Sequence, residues 1–209
     1  MEDIGIDYQK AKELVAKYIS NDITRYHLLE SEAIMKALAE HFYKNEASAV
    51  AEAMADKWGI IGLLHDIDWD LTKDDISNHC IKCVEILKSA GGSDFLIETI
   101  QSHGYEMENH GYVGPKELLG KKRTTKIQHA LAASETLTGL IVASVLVHPD
   151  KKLASVRLES LQKKFKNKTF AAKCNRDIIL ECEKIGLTLD EFLRLGLKAL
   201  QTISSELGL

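Results

Sequence analysis

This sequence predicts an all-α fold, on three observations. Only 2 of its 209 residues are proline and 13 are glycine, so few positions interrupt a helix. Long stretches are rich in Ala, Leu, Glu and Lys, which favour helices, and no window alternates apolar and polar residues long enough to predict a sheet. Because 45% of the residues are hydrophobic, the chain can bury one full core. We therefore expect a single helical domain over residues 1–209.

Apolar residues at helical spacing predict five helices before residue 105. His27 lies on the inward face of the second helix, His65 ends the apolar stripe of the third, and His79 lies in the first turn of the fourth. The predicted spans are residues 7–19, 24–43, 46–65, 77–90 and 93–103.

The segment that follows predicts a loop, which is a candidate active-site lid. It repeats His-Gly-Tyr at residues 103–105 and 110–112, and so offers two imidazoles, two tyrosines and glycine hinges. We expect Gly104 to adopt the left-handed conformation that ends the preceding helix.

A helix predicted over residues 124–147 carries one isolated carboxylate. Between Lys126 and Asp150, Glu135 is the only acidic or basic residue apart from histidines, and its neighbours one turn away are apolar or small. An unpaired buried carboxylate costs several kcal/mol or becomes neutral. A bound metal or a buried histidine would remove that cost.

The C-terminal residues predict a helical scaffold and one possible surface for a homodimer. None of these helices shows an inward charge with an obvious partner, and the last begins at a capping box, Thr188-x-x-Glu191. The predicted spans are residues 153–165, 170–185 and 188–207.

An uncharged run from Trp58 to Leu64 ends abruptly at His65-Asp66. Buried ionisable groups are tolerated when they are paired or bound to metal, and a divalent metal suits an imidazole nitrogen beside a carboxylate oxygen. A lone His-Asp pair is also explained by a capping histidine and a solvated loop. Further ligands must therefore come from the rest of the chain.

Two of the four cysteines form a Cys-x-x-Cys sequence, which is compatible with a zinc or a redox site. However, Cys80, Cys83, Val84 and Leu87 follow the spacing of the buried stripe of an amphipathic helix. We interpret both cysteines as core residues in a reducing compartment.

Charge and hydropathy favour a cytoplasmic protein with no membrane segment. The N-terminus is acidic and lacks a basic region followed by an apolar run, and no uncharged run reaches about 18 residues. The first 120 residues hold 22 acidic and 11 basic side chains, whereas the remainder holds 9 and 16. This asymmetry is compatible with a binding surface for an anionic ligand on the C-terminal half. Because the basic residues are spread over several helices, we instead interpret them as solvated faces and find no strong signal for nucleic-acid binding.

The candidate ligands occur in the order His27, His65-Asp66, His79, His103 and Glu135. On an all-helical chain, this order resembles the HD-domain superfamily of metal-dependent phosphohydrolases. The similarity covers roughly residues 20–150, and the segment from Ser134 to Leu140 resembles the family's final-ligand helix. It implies an HD-type helical bundle with a C-terminal helical extension over about residues 151–209.

The resemblance also implies the ligand set. His27, His65, Asp66 and Glu135 would bind a principal divalent metal. His79 and His103 match the additional histidines of members with two metals, and Asp66 would then bridge the two ions. The identity of the one or two ions stays open among Mn, Mg, Fe, Co, Ni and Zn.

This sequence departs from the family pattern at two places. Many members continue His-Asp-Ile-Gly-Lys, whereas Asp68 and Trp69 stand here in place of the Gly and the Lys. A phosphate-contacting lysine is therefore missing unless Lys73 or Lys122 substitutes. The final ligand is usually Asp, and Glu135 is one methylene longer.

The activity implied by the resemblance is hydrolysis of a nucleotide or another small phosphomonoester through a metal-activated water. Asp66 would be the central catalytic ligand, and His103 or His110 would protonate the leaving oxygen. Two alternatives stay open. One is an HD-type di-iron oxygenase of a small polar substrate, and the other is a non-catalytic module that binds metal or a nucleotide.

Overall fold

Helices make up the regular structure of the residues that this computed structural model describes, which are 2–105 and 114–209. No strand occurs in these two ranges, so the prediction of an all-α fold is confirmed. The helices are α1 (Tyr8–Tyr18), α2 (Asp22–Tyr43), α3 (Ser48–Leu64), α4 (Trp69–Thr72), α5 (Lys82–Ser89), α6 (Asp94–Gln101), α7 (Lys126–Leu146), α8 (Leu158–Lys166), α9 (Arg176–Ile179), α10 (Leu189–Thr202) and α11 (Ser204–Leu207).

The three longest helices, α2, α3 and α7, form the centre of the bundle. Helix α2 packs along α3 and also contacts α7, and α10 from the C-terminal part packs against both α2 and α7. One connected core of buried side chains runs between them, with contributions from both the N-terminal and the C-terminal parts of the chain. Fully buried members include Leu28, Ile34, Ile61, Leu64, Leu137, Leu140 and Phe192.

A glycine allows α2 and α3 to approach closely. A Cβ at position 62 would lie 2.7 Å from the carbonyl oxygen of Ser31 and 2.9 Å from the amide nitrogen of Glu32. Both are backbone atoms, which cannot move aside like a flexible side chain. The absence of a side chain at Gly62 therefore sets the distance between the helix that carries His27 and the helix that ends at His65.

Helix α4, which follows α3, is tied to the start of α2 through Asp70. Its carboxylate accepts hydrogen bonds from the backbone amides of Ser20 and Asn21, at 2.8 and 2.9 Å, and from the hydroxyl of Thr24 at 3.0 Å. Asp70 thus binds amides next to the N-terminus of α2, where a negative charge is favourable.

The fourth predicted helix begins later than the sequence predicted. Residues Ile76–Asn78 form a 3-10 turn, the chain bends at His79 and Cys80, and α5 begins at Lys82. Cys80 has a positive φ of 63°, which ends helical continuity. His79 is therefore outside the helix, and the prediction that Cys80 shares a helical stripe with Cys83 is wrong.

The end of α6 also differs from the prediction. Gly104 belongs to a 3-10 turn, Ser102–Gly104, and does not have a positive φ. Its role is steric, because a Cβ at this position would lie 2.7 Å from the Sγ of Cys80. The remainder of the predicted lid, including His110, lies outside the described residues.

The C-terminal part contains shorter helices than predicted. The predicted helix over residues 170–185 is a turn followed by α9 and a 3-10 helix, Leu180–Ile185. Arg176 organises this turn by donating hydrogen bonds to the carbonyls of Phe170, Ala171 and Cys174, at 2.5, 3.0 and 2.6 Å. The capping box at the start of α10 is confirmed.

Helix α7 is long and apolar enough, by length and composition, to cross a membrane. Most of its apolar stretch is buried inside the bundle. A core helix has the same properties, and α7 contacts α2, α3, α6 and α10.

Candidate metal centre

Two imidazoles from different helices face each other. The Nε2 atoms of His27, on α2, and His65, after α3, lie 3.1 Å apart. His65 Nδ1 donates to the carbonyl of Gly62 at 2.8 Å, and His27 Nδ1 donates to the hydroxyl of Thr138 at 3.0 Å. That hydroxyl donates its own proton to the carbonyl of Glu135, at 2.6 Å. This network leaves a lone pair on each Nε2, and the two facing lone pairs require a cation or a proton between them.

A second pair of imidazoles lies beside the first. The Nε2 atoms of His79 and His103 are also 3.1 Å apart. His103 Nδ1 donates to the carbonyl of Ile100 at 2.6 Å, and His79 Nδ1 donates to the carboxylate of Asp68 at 2.9 Å. This pair therefore also turns two Nε2 lone pairs toward a common point.

Asp66 lies between the two pairs, with one oxygen in each. Its Oδ2 is 3.7 Å from the Nε2 of His27 and 3.7 Å from the Nε2 of His65. Its Oδ1 is 3.3 Å from the Nε2 of His79 and 3.1 Å from the Nε2 of His103. The five side chains come from four separate segments of the chain, and the structure brings all of them together.

The donors of both clusters fit divalent transition metals. Each cluster offers two imidazole nitrogens and a carboxylate oxygen, at separations that suit a shell with bonds of about 2.0–2.2 Å. The second nitrogen of every imidazole donates to a carbonyl, a hydroxyl or a carboxylate. Metal-binding histidines are typically oriented in this way, which raises their basicity.

Glu135 lies close to these clusters but is engaged differently. Its side chain lines the same cavity as His27 and Asp66, and its Oε1 accepts a hydrogen bond from the hydroxyl of Thr136 at 2.5 Å. Burial raises the pKa of this carboxyl. A cation nearby would favour the charged form.

The family of this chain is decided by comparison with known sequence families. A family model of the HD domain matches residues 24–145, which is more than half of the chain. The chain belongs to the HD domain family. Members of this family typically bind divalent metals, and most are metal-dependent hydrolases. A search of curated proteins and a search of solved structures each found no significant match.

The electrostatics of this HD domain centre on the charge of Asp66. Burial lowers the pKa of His65 to about 3, against the opposing effect of the neighbouring carboxylate. Burial alone would raise the pKa of Asp66, but the imidazoles of His65, His103 and His79 hold it well below its usual value. These shifts favour the ionised form of Asp66, and burial favours the neutral form of His65, which is the form that binds a metal.

Negative charge surrounds the second imidazole pair and favours the protonated form of its histidines when no metal is bound. Burial acts to lower the pKa of His79, but Cys80, Asp68 and Asp66 raise it to about 10. The pKa of His103 is raised well above its usual value in spite of burial, through Cys80 and Asp66. A divalent cation at this pair would replace protons that otherwise compensate buried negative charge.

Asp68, which replaces the glycine of the usual HD sequence, accepts two hydrogen bonds through its buried carboxylate. Its side chain is fully buried, with Oδ1 accepting from His79 Nδ1 and Oδ2 accepting from the backbone amide of Cys83, both at 2.9 Å. Asp68 therefore fixes the orientation of His79 and the bend before α5. The sequence marked Asp68 only as a replacement for the family's glycine and gave no partner for it.

A cavity of about 370 Å³ opens over the clusters. One wall comes from the HD core, with Trp69, Tyr105 and Gly139, and the opposite wall comes from the C-terminal part, with Lys173 and Asn175. The C-terminal part, predicted as a helical scaffold with a surface for a homodimer, therefore also contributes residues to this cavity. Nothing local in the sequence marks Lys173, because its position depends on the turn that Arg176 organises.

The two lysines suggested by the sequence as replacements for the missing family lysine do not line this cavity. Lys73 and Lys122 are both exposed on other parts of the surface. Among the residues that the structure describes, Lys173 is the lysine at the cavity.

A buried ion pair supports the segment that carries His103. Arg123 contacts the Glu181 carboxylate and also donates to the carbonyls of Ser102 and Tyr105, at 3.0 and 2.9 Å. Sequence reasoning missed Glu181, because its neighbours one turn away include Asp177 and Lys184, so it lacks the isolation that singled out Glu135.

Proposed function

We propose that this HD domain is a metal-dependent phosphohydrolase that acts on a nucleotide or another small phosphomonoester. The observation that supports this most strongly is the position of Asp66, whose two oxygens reach two different imidazole pairs. A carboxylate shared in this way is the arrangement expected of a bridging ligand in a two-metal site.

The residues of each cluster would hold one divalent cation. His27, His65 and the Oδ2 of Asp66 form one set of donors, with Glu135 as the nearby carboxylate. His79, His103 and the Oδ1 of Asp66 form the other. Bound cations of this kind lower the pKa of a coordinated water toward about 7 and polarise a phosphoryl oxygen.

The cavity supports a small substrate. Its volume of about 370 Å³ is in the range of pockets for small molecules. Lys173 places an ammonium at the cavity, where it would attract and orient a phosphate, while Trp69 and Tyr105 offer aromatic surface to the remainder of the substrate.

The contacts of His103 argue against a role as the proton donor to the leaving group. His103 donates through Nδ1 to a backbone carbonyl, and its Nε2 faces Asp66 and His79, so both nitrogens are engaged. We therefore favour the role of ligand for His103. The role of His110 stays a prediction, since this residue lies outside the described residues.

Phosphate release tests the proposal directly. Purified protein is incubated with a panel of nucleotides and small phosphomonoesters, with Mn, Mg, Co, Fe, Ni or Zn added singly. We expect release with at least one substrate and metal, and loss of that activity in Asp66→Asn. Asp74→Asn, an exposed change in the same acidic loop, is the matched control and should retain it. If the wild-type protein releases no phosphate from any substrate with any of the metals, the proposal is overturned.

One observation favours the second candidate, a di-iron oxygenase of a small polar substrate. Trp69 occupies the position of the family's phosphate-contacting lysine, so the usual phosphate contact is missing. Metal analysis of protein purified without chelators, followed by oxygen uptake with candidate substrates, separates the two reactions. Two irons per chain and substrate-dependent oxygen uptake would favour the oxygenase. A nucleotide that copurifies and is never turned over would favour the non-catalytic module.

A further inference from the structure

Cys80 places a sulfur atom beside the second imidazole pair. Its Sγ lies 3.5 Å from the Nε2 of His103, and the Sγ and the Nε2 atoms of His79 and His103 all lie within 4.8 Å of one another. Cys80 is fully buried. The sulfur is therefore presented to the donor cluster and not to solvent.

Three local features hold the sulfur in this position. Cys80 has a φ of 63°, an unusual conformation for a residue with a side chain. Its carbonyl accepts a hydrogen bond from the Nε2 of Gln101 at 2.8 Å, which fixes the bend. Gly104 leaves the space that the sulfur occupies, because a Cβ there would lie 2.7 Å from Sγ.

The separations between the donors fit coordination of one ion. In a tetrahedral site with metal–sulfur bonds of about 2.3 Å and metal–nitrogen bonds of about 2.0 Å, sulfur and nitrogen lie about 3.5 Å apart and two nitrogens about 3.3 Å apart. The corresponding distances here are 3.5 Å for Cys80 Sγ to His103 Nε2, and 3.1 Å for His79 Nε2 to His103 Nε2. The Oδ1 of Asp66 completes the group, 3.1 Å from the Nε2 of His103.

Cys83 does not share this position. It belongs to the main hydrophobic core, and its contact with the region is through its backbone amide, which donates to Asp68. Cys80 instead belongs to a separate small cluster with Tyr105 and Leu118. The Cys-x-x-Cys sequence is therefore split, with one cysteine in the core and the other beside two histidines.

We propose that Cys80 is a ligand of the second metal position, together with His79, His103 and the Oδ1 of Asp66. A thiolate favours soft or borderline cations, so this position would select Zn²⁺, Co²⁺ or Fe²⁺ over Mg²⁺. The position formed by His27, His65 and Asp66 has only nitrogen and oxygen donors. The inference rests on the metal centre of the proposed function and does not depend on which reaction that centre carries out.

Cobalt spectroscopy tests the thiolate ligand. Metal-free protein is titrated with Co²⁺ while the near-ultraviolet absorption is followed, because a cysteine thiolate bound to Co²⁺ gives a charge-transfer band there. We expect the band in the wild-type protein. Cys80→Ser should lose it and bind one of two Co²⁺ ions at least tenfold more weakly. Cys174→Ser, a change of the cysteine that lines the nearby cavity, is the matched control and should keep the band.

A second measurement needs no variant, which matters because a change at a buried residue can impair folding. X-ray absorption of the zinc-loaded wild-type protein should show one sulfur neighbour per two zinc ions, at about 2.3 Å. A shell of nitrogen and oxygen only, or a band that persists in Cys80→Ser, would overturn the inference. Thiolate ligation without phosphate release would support this inference and refute the proposed function. Phosphate release without thiolate ligation would support the proposed function and refute this inference.

Discussion

The guanidinium of Arg123 meets the carboxylate of Glu181 in a two-point pair, with Nε and Nη2 each 2.8 Å from one carboxylate oxygen. Both side chains are buried, and His129 donates to the same carboxylate at 2.6 Å. The remaining nitrogen of Arg123 donates to two carbonyls in the segment of His103. This pair joins the C-terminal part of the chain to the second imidazole cluster.

Removal of one partner of this pair should be strongly destabilising. Arg123→Leu leaves the Glu181 carboxylate buried without its main partner, and we expect a loss of about 3–5 kcal/mol in the free energy of unfolding. Urea denaturation measures this loss. Lys184→Ala is the control, because Lys184 is 57% exposed and lies 3.9 Å from the same carboxylate, so its loss should cost less than about 1 kcal/mol. Similar losses in the two variants would contradict the role of the buried pair.

The two glycines of α3 predict different responses to alanine. Gly62→Ala would push a methyl group into the backbone of α2, and we expect a loss of about 1–3 kcal/mol in unfolding free energy. The Cβ of Gly59→Ala would meet the side chain of Lys36, which can shift only by disturbing its ion pair with Glu32. That variant should lose less than about 1 kcal/mol, since a side chain yields more easily than backbone and alanine favours helices. Thermal melts compare the two, and equal effects would contradict the close approach at Gly62.

Buried Glu30 should make the stability fall as the pH rises. Burial raises its pKa from 4.5 to about 8. Below pH 4.5 the carboxyl is protonated in the folded and the unfolded chain. Between pH 4.5 and about 8 the folded chain binds more protons, so the free energy of unfolding decreases, by at most about 5 kcal/mol. Above that range the contribution is constant.

Urea denaturation of Glu30→Gln between pH 5 and 9 checks this contribution. The free energy of unfolding of the variant should not decrease over this pH range, and at pH 9 it should be higher than that of the wild type. Glu40→Gln, an exposed change on the same helix, should follow the wild type. A Glu30→Gln curve parallel to that of the wild type would contradict the assignment.

Substitutions of Asp66 and Asp70 should affect different properties, metal binding for Asp66 and stability for Asp70. Asp66→Ala removes the carboxylate between the imidazole pairs, so metal per chain, measured by elemental analysis, should fall to near zero while the fold survives. Glu135→Ala should lower metal content less severely. Asp70→Ala removes hydrogen bonds at the start of α2 and should cost about 1–2 kcal/mol with metal content unchanged. Full occupancy in both Asp66→Ala and Glu135→Ala would refute the proposed centre.

Lys173 should affect substrate binding if the proposed function is correct. Lys173→Ala removes the ammonium at the cavity, and we expect the KM for a phosphate ester to rise about tenfold with a smaller change in kcat. Lys73→Ala, at an exposed site away from the cavity, should leave both constants unchanged. Steady-state kinetics with any substrate found by phosphate release provides the measurement.

Much of the fold could be predicted because helical periodicity is a local property. The long helices follow from apolar spacing, and the clustering of His27, His65 and Asp66 matches the order of ligands in the family. The bend at His79 and Cys80 could not be predicted, because it depends on hydrogen bonds that His79 and the backbone amide of Cys83 donate to Asp68. These tertiary contacts outweigh helix propensity.

The C-terminal contribution to the site could not be predicted for a similar reason. Lys173 lies 38 positions after Glu135 in the sequence. Its position next to α7 depends on the turn whose carbonyls accept hydrogen bonds from Arg176. The burial of Glu181 could not be predicted either. Charged residues lie one turn away on both sides, at Asp177 and Lys184, so the sequence gives no sign of the buried pair with Arg123.

The shared carboxylate of Asp66 has a thermodynamic consequence for the two clusters. The two oxygens share one delocalised negative charge. A cation bound to Oδ2 therefore lowers the negative charge on Oδ1, which would bind the second cation. Affinity at one cluster then depends on occupancy of the other, and linkage requires the effect to be equal in both directions. The two positions would fill as an interacting pair, and the concentration of free metal in the cell would set whether the protein carries one ion or two.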